Sequence, residues 1–359
     1  MHFGQFNLMG YRTPGTDLGA LYDSAIAQAK AAEANGFEIS WFAEHHFSNY
    51  CVCPSPLMMV ARLAGETSRI KLGTGVVVAP LYNPLRLVSE IGMVDAMCGG
   101  RLVLGVGSGY QPFEFERFGE ELADAPGKLV EILEMLELAV SQESFAYAGR
   151  HYAVPTTHVA TRPKRGMPDI WLAGDNAELH RLAARKGYTV MVTPRHFSAD
   201  LLASARSKFE ATYRSAGADP RGLKFAALRH MCVTDSKAEA ADFLDNVRYQ
   251  IRLSQSLRLE FQEIEGGMLT EKTYPNEAPI EDMARHMLIG DPETIAERMV
   301  AEIRRAAPCH YLLHFQAGAS SLRTALSSIE RFAGEVRPLV EKAVGPLERI
   351  GVPSVAVAE

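Results

Sequence analysis

No stretch of this 359-residue chain approaches the ~20 consecutive apolar residues that cross a bilayer; the longest apolar runs are on the scale of Val76 to Leu81. No block of five or six like charges is present either, and 37 Lys and Arg against 43 Asp and Glu leave a net charge of −6 with both signs interspersed. Such a surface has no field that gathers phosphates, which argues against nucleic acid and anionic membrane as partners. Cysteine is scarce. The five, Cys51, Cys53, Cys98, Cys232 and Cys309, lack framework spacing, and Cys51 and Cys53 have no second pair to complete a tetrahedral zinc site. No basic segment precedes an apolar run at the N-terminus. A soluble, cytoplasmic protein with free thiols is expected.

What the chain does have is material for one large core: 47% of its residues are hydrophobic, and a domain of this length hides about three quarters of its unfolded surface. Strand-like and helix-like patterns alternate along it. Residues 1–8, 37–45, 70–78 and 101–106 read as strands, each followed by a helical stretch, near 17–35, 55–67, 84–97 and 127–141. A hairpin-like insertion within 143–168 precedes strands at 170–173, 189–192 and 225–233, with helices at 176–186, 199–216 and 237–251. A last strand, 310–315, leads into a helix over 320–340. Eight strands alternating with helices predict a parallel sheet, because parallel neighbours need a crossover. The expected fold class is α/β, a single (β/α)8 barrel domain over residues 1–359, with an insertion around 143–168 and a lid around 253–290. An open doubly wound sheet is the rival architecture.

In such a barrel the chemistry lies at the carboxyl ends of the strands. Those ends carry Asn7, Glu44-His45-His46, Gly107-Ser108-Gly109-Tyr110, Gly174-Asp175-Asn176, Thr193 with Arg195, and His314 with Gln316. On the last strand His310, Leu312, His314 and Gln316 share one face and Tyr311, Leu313 and Phe315 the other, so the first set is expected inside the barrel. That makes Asn7, His314 and Gln316 candidates for a substrate pocket. His45 stands where a buried strand opens into a loop, a position suited to proton transfer near neutral pH. The run Gly105 to Tyr110 is not a dinucleotide fingerprint, since Tyr110 occupies the third glycine position and Gln111-Pro112-Phe113 follows instead of an immediate amphipathic helix. Its glycines still suit the close approach of a planar ligand. Phosphate-loop, Gly-x-Ser-x-Gly and paired-histidine zinc-helix motifs are missing. Gly174-Asp175-Asn176 ends the fifth strand and opens a helix, where free N–H groups favour an anion, and either Asp175 or Asn176 equally suits an ordinary N-cap.

The chain resembles the bacterial luciferase-like flavin-dependent oxidoreductases, most closely the branch of the alkanal monooxygenase α chain. The resemblance is carried by Met1-His2-Phe3-Gly4, Gly36-Phe37, Trp41, Glu44-His45-His46-Phe47, Ile70 to Gly75, Pro80, Pro84, Asp95, Gly99-Gly100-Arg101, Gly105-Val106-Gly107, Phe118-Gly119 and Gly290-Asp291-Pro292-Glu293. It implies a (β/α)8 fold, a homodimer packed through the helices after the second and third strands, and reduced FMN bound at the strand ends. The reduced FMN would come from a separate NAD(P)H-dependent flavin reductase, with O2 as co-substrate and one oxygen atom delivered to a small neutral or apolar substrate. Carried over, the resemblance makes His45 catalytic and gives Glu44, a cis peptide at Gly75-Val76, and Gly107, Ser108, Gly109, Tyr110, Gly174, Asp175 and Asn176 to the flavin and its phosphate. The chain departs from luciferase in having Gly107 at the reactive cysteine and Ser108 at the neighbouring arginine, so light emission is not implied. A deazaflavin-dependent oxidoreductase, a non-catalytic flavin-binding protein, and a metal-dependent hydrolase using His45, His46 and His314 stand as alternatives.

Overall fold

The computed structural model describes residues 1–174, 176–192 and 198–353. Its eight barrel strands are β1 (His2–Asn7), β2 (Ile39–Phe42), β3 (Lys71–Thr74), β4 (Leu102–Gly107), β5 (Asp169–Ala173), β6 (Thr189–Val192), β7 (Phe225–Val233) and β8 (His310–His314). Each pairs in parallel with the next, and β8 pairs back onto β1 with Phe6 opposite His314, so the sheet is closed. The open-sheet alternative is thereby excluded. Fully buried runs such as Ile39–Phe42 and Leu102–Gly107 are what strands covered on both faces require.

Helix boundaries follow local signals. Asp17 caps Leu18–Ala34 through Gly19 N, Asn83 caps Pro84–Met97 through Arg86 N, and Ser236 caps Lys237–Arg258 through Glu239 N. The third expected strand is split. After Thr74 the chain turns at Gly75-Val76, whose peptide is cis, and resumes as the two-residue strand Val77–Val78 against the end of β4. The expected insertion is the antiparallel hairpin Phe145–Ala148 with Ala153–Thr157.

The stretch expected to be a lid begins differently. Helix Lys237–Arg258 runs seven residues past the expected end at 251, because the apolar positions Leu253 and Leu257 continue its buried face. Beyond it come the small hairpin Ile264–Glu265 with Met268–Leu269, helix Ile280–His286, and strand Leu288–Gly290, which joins the outer edge of β7.

Inside the barrel, the amino end is filled by rings. Trp41 and Trp171 lie 4.7 Å apart between centroids, and the His310 ring meets both edge-on. A Cβ at Gly4 or Gly73 would collide with Trp41, so these two positions accommodate the indole. One layer up, Phe6 meets His314, and His314 meets His230. From that layer outward Gly75, Val76, Ala173, Leu228 and His230 keep solvent-accessible surface, which marks the mouth.

Candidate active site

His45 follows β2 directly, and its backbone N–H is tied to Cys53 O. Its Nδ1 lies 3.1 Å from Glu114 Oε1. A carboxylate only accepts, so Nδ1 carries the hydrogen and Nε2 is left facing the Tyr110 hydroxyl at 3.5 Å. The same Glu114 oxygen accepts the backbone N–H of His46 at 2.7 Å, so one buried carboxylate fixes both the loop and the ring.

Glu114 is a residue the strand-end reading passed over. It lies on the short helix Pro112–Phe118, where only a non-helical stretch was expected. Pro112 at the first position and Gly119 in the left-handed region at the end are sufficient start and stop signals.

Tyr110 gathers further partners: Gln111 Nε2 donates to its hydroxyl at 3.1 Å, Ser254 Oγ lies 3.3 Å away, and Tyr50 OH lies 3.5 Å away. Burial raises both phenols above their ordinary range, so both keep their protons at neutral pH. The thiol of neighbouring Cys51 is pushed up to about 12 by burial, which leaves it unreactive.

Glu44 is buried. It accepts from His46 Nε2 at 3.1 Å, Val78 N at 3.1 Å and Tyr82 OH at 3.0 Å, and burial raises its pKa. Any part it plays in holding a cofactor passes through the segment after β3, which it braces. His45, His46 and His314 do not converge: His46 is spent on Glu44, His314 lies in the ring layer, and among the described residues no group of three His, Cys, Asp or Glu side chains is placed to hold a metal.

The floor beside His45 is glycine-lined. A Cβ on Gly107 would press on Val76 Cγ2 at 2.9 Å, and Gly109 has φ +80° with Phe115 within 2.5 Å of a built Cβ. Ser108 is buried and Tyr110 half-buried. At the end of β5, Gly174 is exposed, with open space around its missing side chain. Asn176 caps helix Ala177–Lys186 by accepting from Glu178 N and Leu179 N. The N-cap reading thus holds for Asn176, and two amides that an anion would use are engaged by its side chain. Asp175, Thr193 and Arg195 lie outside the described residues.

The expected substrate-pocket trio is divided. His314 does face the barrel axis, where burial among rings lowers its pKa to about 4. Gln316, expected beside it, instead accepts from Ser24 and Gln28 of helix Leu18–Ala34, because β8 ends at His314 and strand alternation ends with it. Asn7 alternates with the inward Phe6 and donates to Gln5 Oε1, which places it on the helix-facing side. These three residues border a cavity of about 10 Å³, room for a single water rather than for a substrate.

The fold and this rim define a (β/α)8 barrel whose candidate chemistry gathers at the carboxyl ends of its strands. The Luciferase-like monooxygenase family model matches residues 1–308, and the chain belongs to that family. An uncharacterized protein of Sinorhizobium fredii is 37% identical over 97% of this chain and 100% of its own length. The oxygenase component of the flavin-dependent trigonelline monooxygenase of Acinetobacter baylyi is 28% identical over 89% of each chain. The oxygenating constituent of 3,6-diketocamphane monooxygenase of Pseudomonas putida, solved with FMN, superposes with a TM-score of 0.76 at 20% identity, covering 94% of this chain and 98% of that one. F420-dependent enzymes share the fold as well. Membership of that family makes the chain an oxidoreductase.

Proposed function

We propose that this protein is the oxygenase half of a two-component monooxygenase, using reduced FMN from a separate NAD(P)H-dependent reductase and O2 to place one oxygen atom on a small neutral organic substrate. The observation that carries this reading is the His45–Glu114 pair at the same rim as the glycine-lined floor of Gly75 and Gly107. Bound there, reduced flavin supplies the activation of O2, with the second oxygen leaving as water. The residues suit such a guest, since the missing side chain at Gly107 lets Val76 pack against the end of β4 beside His45 and Tyr110, which leaves backbone rather than bulky side chain at this rim.

The chain's own part is binding and proton handling. Gly75, Val76, Gly107, Ser108, Gly109 and Tyr110 hold the ring, while Gly174 and Asn176 lie toward the phosphate. His45 holds or moves a proton at Nε2, Glu114 fixes its tautomer, and Tyr110 offers a phenol that stays protonated. The hairpin Ile264–Leu269, fastened at Leu269 N to Asn49 Oδ1, covers the His45 loop and limits water there.

Homodimerisation is supported by the exposed methionines Met58, Met93 and Met97, which put an apolar patch on the helices after β2 and β3. A cytoplasmic setting suits five cysteines that all remain free. No helix among the described residues is long and apolar enough to cross a membrane.

The test is anaerobic titration with reduced FMN and with reduced deazaflavin, followed by aerobic turnover with a flavin reductase. Preferential binding of reduced FMN and substrate-dependent oxygen uptake are expected. Exclusive binding of the deazaflavin would overturn the oxygenase assignment in favour of hydride transfer, and binding without turnover on any substrate would leave only a flavin carrier.

A further inference from the structure

The proton-handling groups occupy the wall of the mouth made by the loops after β2 and β4. A second set of polar groups lies across from them and has no work in the reaction proposed above. Helix Lys237–Arg258 crosses the mouth with Asn246, Gln250 and Ser254 four residues apart on one face. Asn246 Oδ1 accepts from Ala319 N just beyond β8, and Ser254 reaches the Tyr110 hydroxyl. Gln250, between them, is only 3% exposed and stands beside His230 on the inner face of β7.

The Gln250 amide lies within reach of the His230 imidazole. Neither its Nε2 nor its Oε1 finds a hydrogen-bond partner among the described residues, and neither does His230 Nδ1. Burial holds His230 well below its ordinary pKa, so the ring is neutral, with one N–H and one lone pair. A donor, an acceptor and an imidazole nitrogen are thus buried together and unmet, which is costly unless something else meets them.

We propose that Gln250 and His230 recognise the substrate, reading a neutral group that presents an acceptor and a donor side by side, as a carboxamide or lactam does, on an otherwise apolar ring-sized body. The inference rests on the flavin reading of the same mouth and narrows its substrate. An alkane satisfies none of the three atoms. An aldehyde or a carboxylate offers acceptors only and leaves Gln250 Oε1 unmet. A carboxamide returns both functions to the Gln250 amide and leaves its apolar body to Leu228 and Ala173. The imide edge of a flavin carries the same pattern, and the experiment separates the two sources.

Full-length protein is titrated calorimetrically with benzamide, acetophenone and isopropylbenzene, three probes of one shape that carry both functions, the acceptor alone, and neither. Reduced FMN is titrated separately under anaerobic conditions, so that failure of the flavin reading shows on its own. Wild type is expected to bind benzamide about tenfold or more tighter than isopropylbenzene, with acetophenone between, the scale of one buried amide left unmet. Gln250→Leu should erase that preference through weaker benzamide binding and leave reduced-FMN affinity within about twofold. Gln250→Met and His230→Phe, each checked by thermal unfolding, guard against a variant that fails to fold. The proposal is overturned if wild type binds benzamide no more tightly than isopropylbenzene, if folded variants keep the preference, or if they lose affinity for reduced FMN alone.

Discussion

His45 and His314 both stand near the carboxyl ends of inner strands, and the structure treats them in opposite ways. His45 shares a hydrogen with a buried carboxylate and turns its other nitrogen to a phenol at the mouth. His314 is packed against the rings of Phe6 and His230, and burial brings its pKa down to about 4. His310, one layer deeper between two tryptophans, is lowered to about 3. What separates the two imidazoles here is therefore what each ring touches. A carboxylate that orients one nitrogen leaves the other available, whereas a shell of rings leaves only a neutral, space-filling group.

The sharpest way to break the comparison is to remove each imidazole in turn. His45→Gln is expected to lower steady-state turnover with a flavin reductase by about 10²–10⁴-fold, the usual range for a general acid or base, with the thermal midpoint nearly unchanged. A variant that turns over at the wild-type rate would remove His45 from the chemistry.

His314 should show its effect in stability instead. Its folded pKa lies below that of the unfolded chain, so on acidification the unfolded state takes up the proton first. Stability is therefore whole above about pH 6.5 and falls as pH drops toward 4, by about 3 kcal/mol from this residue. Urea unfolding of wild type and His314→Phe across that window should show a flatter acid limb in the variant. Glu38 provides an internal contrast. His2 and Lys71 hold its carboxyl at about 2, so its contribution persists above the ordinary carboxylate range and is lost only as pH falls toward 2. An acid limb confined below pH 4 would assign the loss to such carboxylates and not to the ring layer.

Glu114→Gln sharpens the same contrast at its origin. The ring of His45 keeps a neighbour of the same shape but loses the charge that fixes its tautomer, and kcat is expected to fall about 10–100-fold with reduced-FMN affinity retained. Equal loss in kcat and in flavin binding would make Glu114 a structural brace only.

The barrel was legible because its strands and helices alternate with unambiguous caps, and His45 because it follows a buried apolar run. Glu114 was hidden because its meaning depends on a contact 69 residues away in sequence, on a helix too short to show periodicity. Gln316 and Asn7 were misplaced because alternation says which face a strand residue takes but not where the strand stops. The polar stripe Asn246, Gln250 and Ser254 was missed for a related reason: it lies partly on residues assigned to a lid, beyond the expected end of their helix. Caps and periods are local, whereas partner choice at a site is set by the closed sheet.

The smallest expected effect concerns what keeps the two walls under cover. Arg252, on the same helix as Gln250, forms ion pairs with Glu271 at 2.9 Å and Glu277 at 2.8 Å, and Arg12 joins Glu271 at 3.1 Å, so the excursion after the helix is fastened by charges that are only partly exposed. Asn49 adds neutral ties, donating to Tyr11 O and Tyr249 OH and accepting from Leu269 N. Arg252→Ala removes two pairs from one network, which should cost about 1 kcal/mol of local opening and raise the rate of limited proteolysis within residues 263–277 about fivefold. Because such pairs are screened, high salt should bring wild type toward the variant, whereas the extra cutting caused by Asn49→Ala relative to wild type should be almost the same at low and high salt. If instead all three proteins are cut equally and without salt dependence, the cover is held by its apolar contacts, and the ion pairs only decorate it.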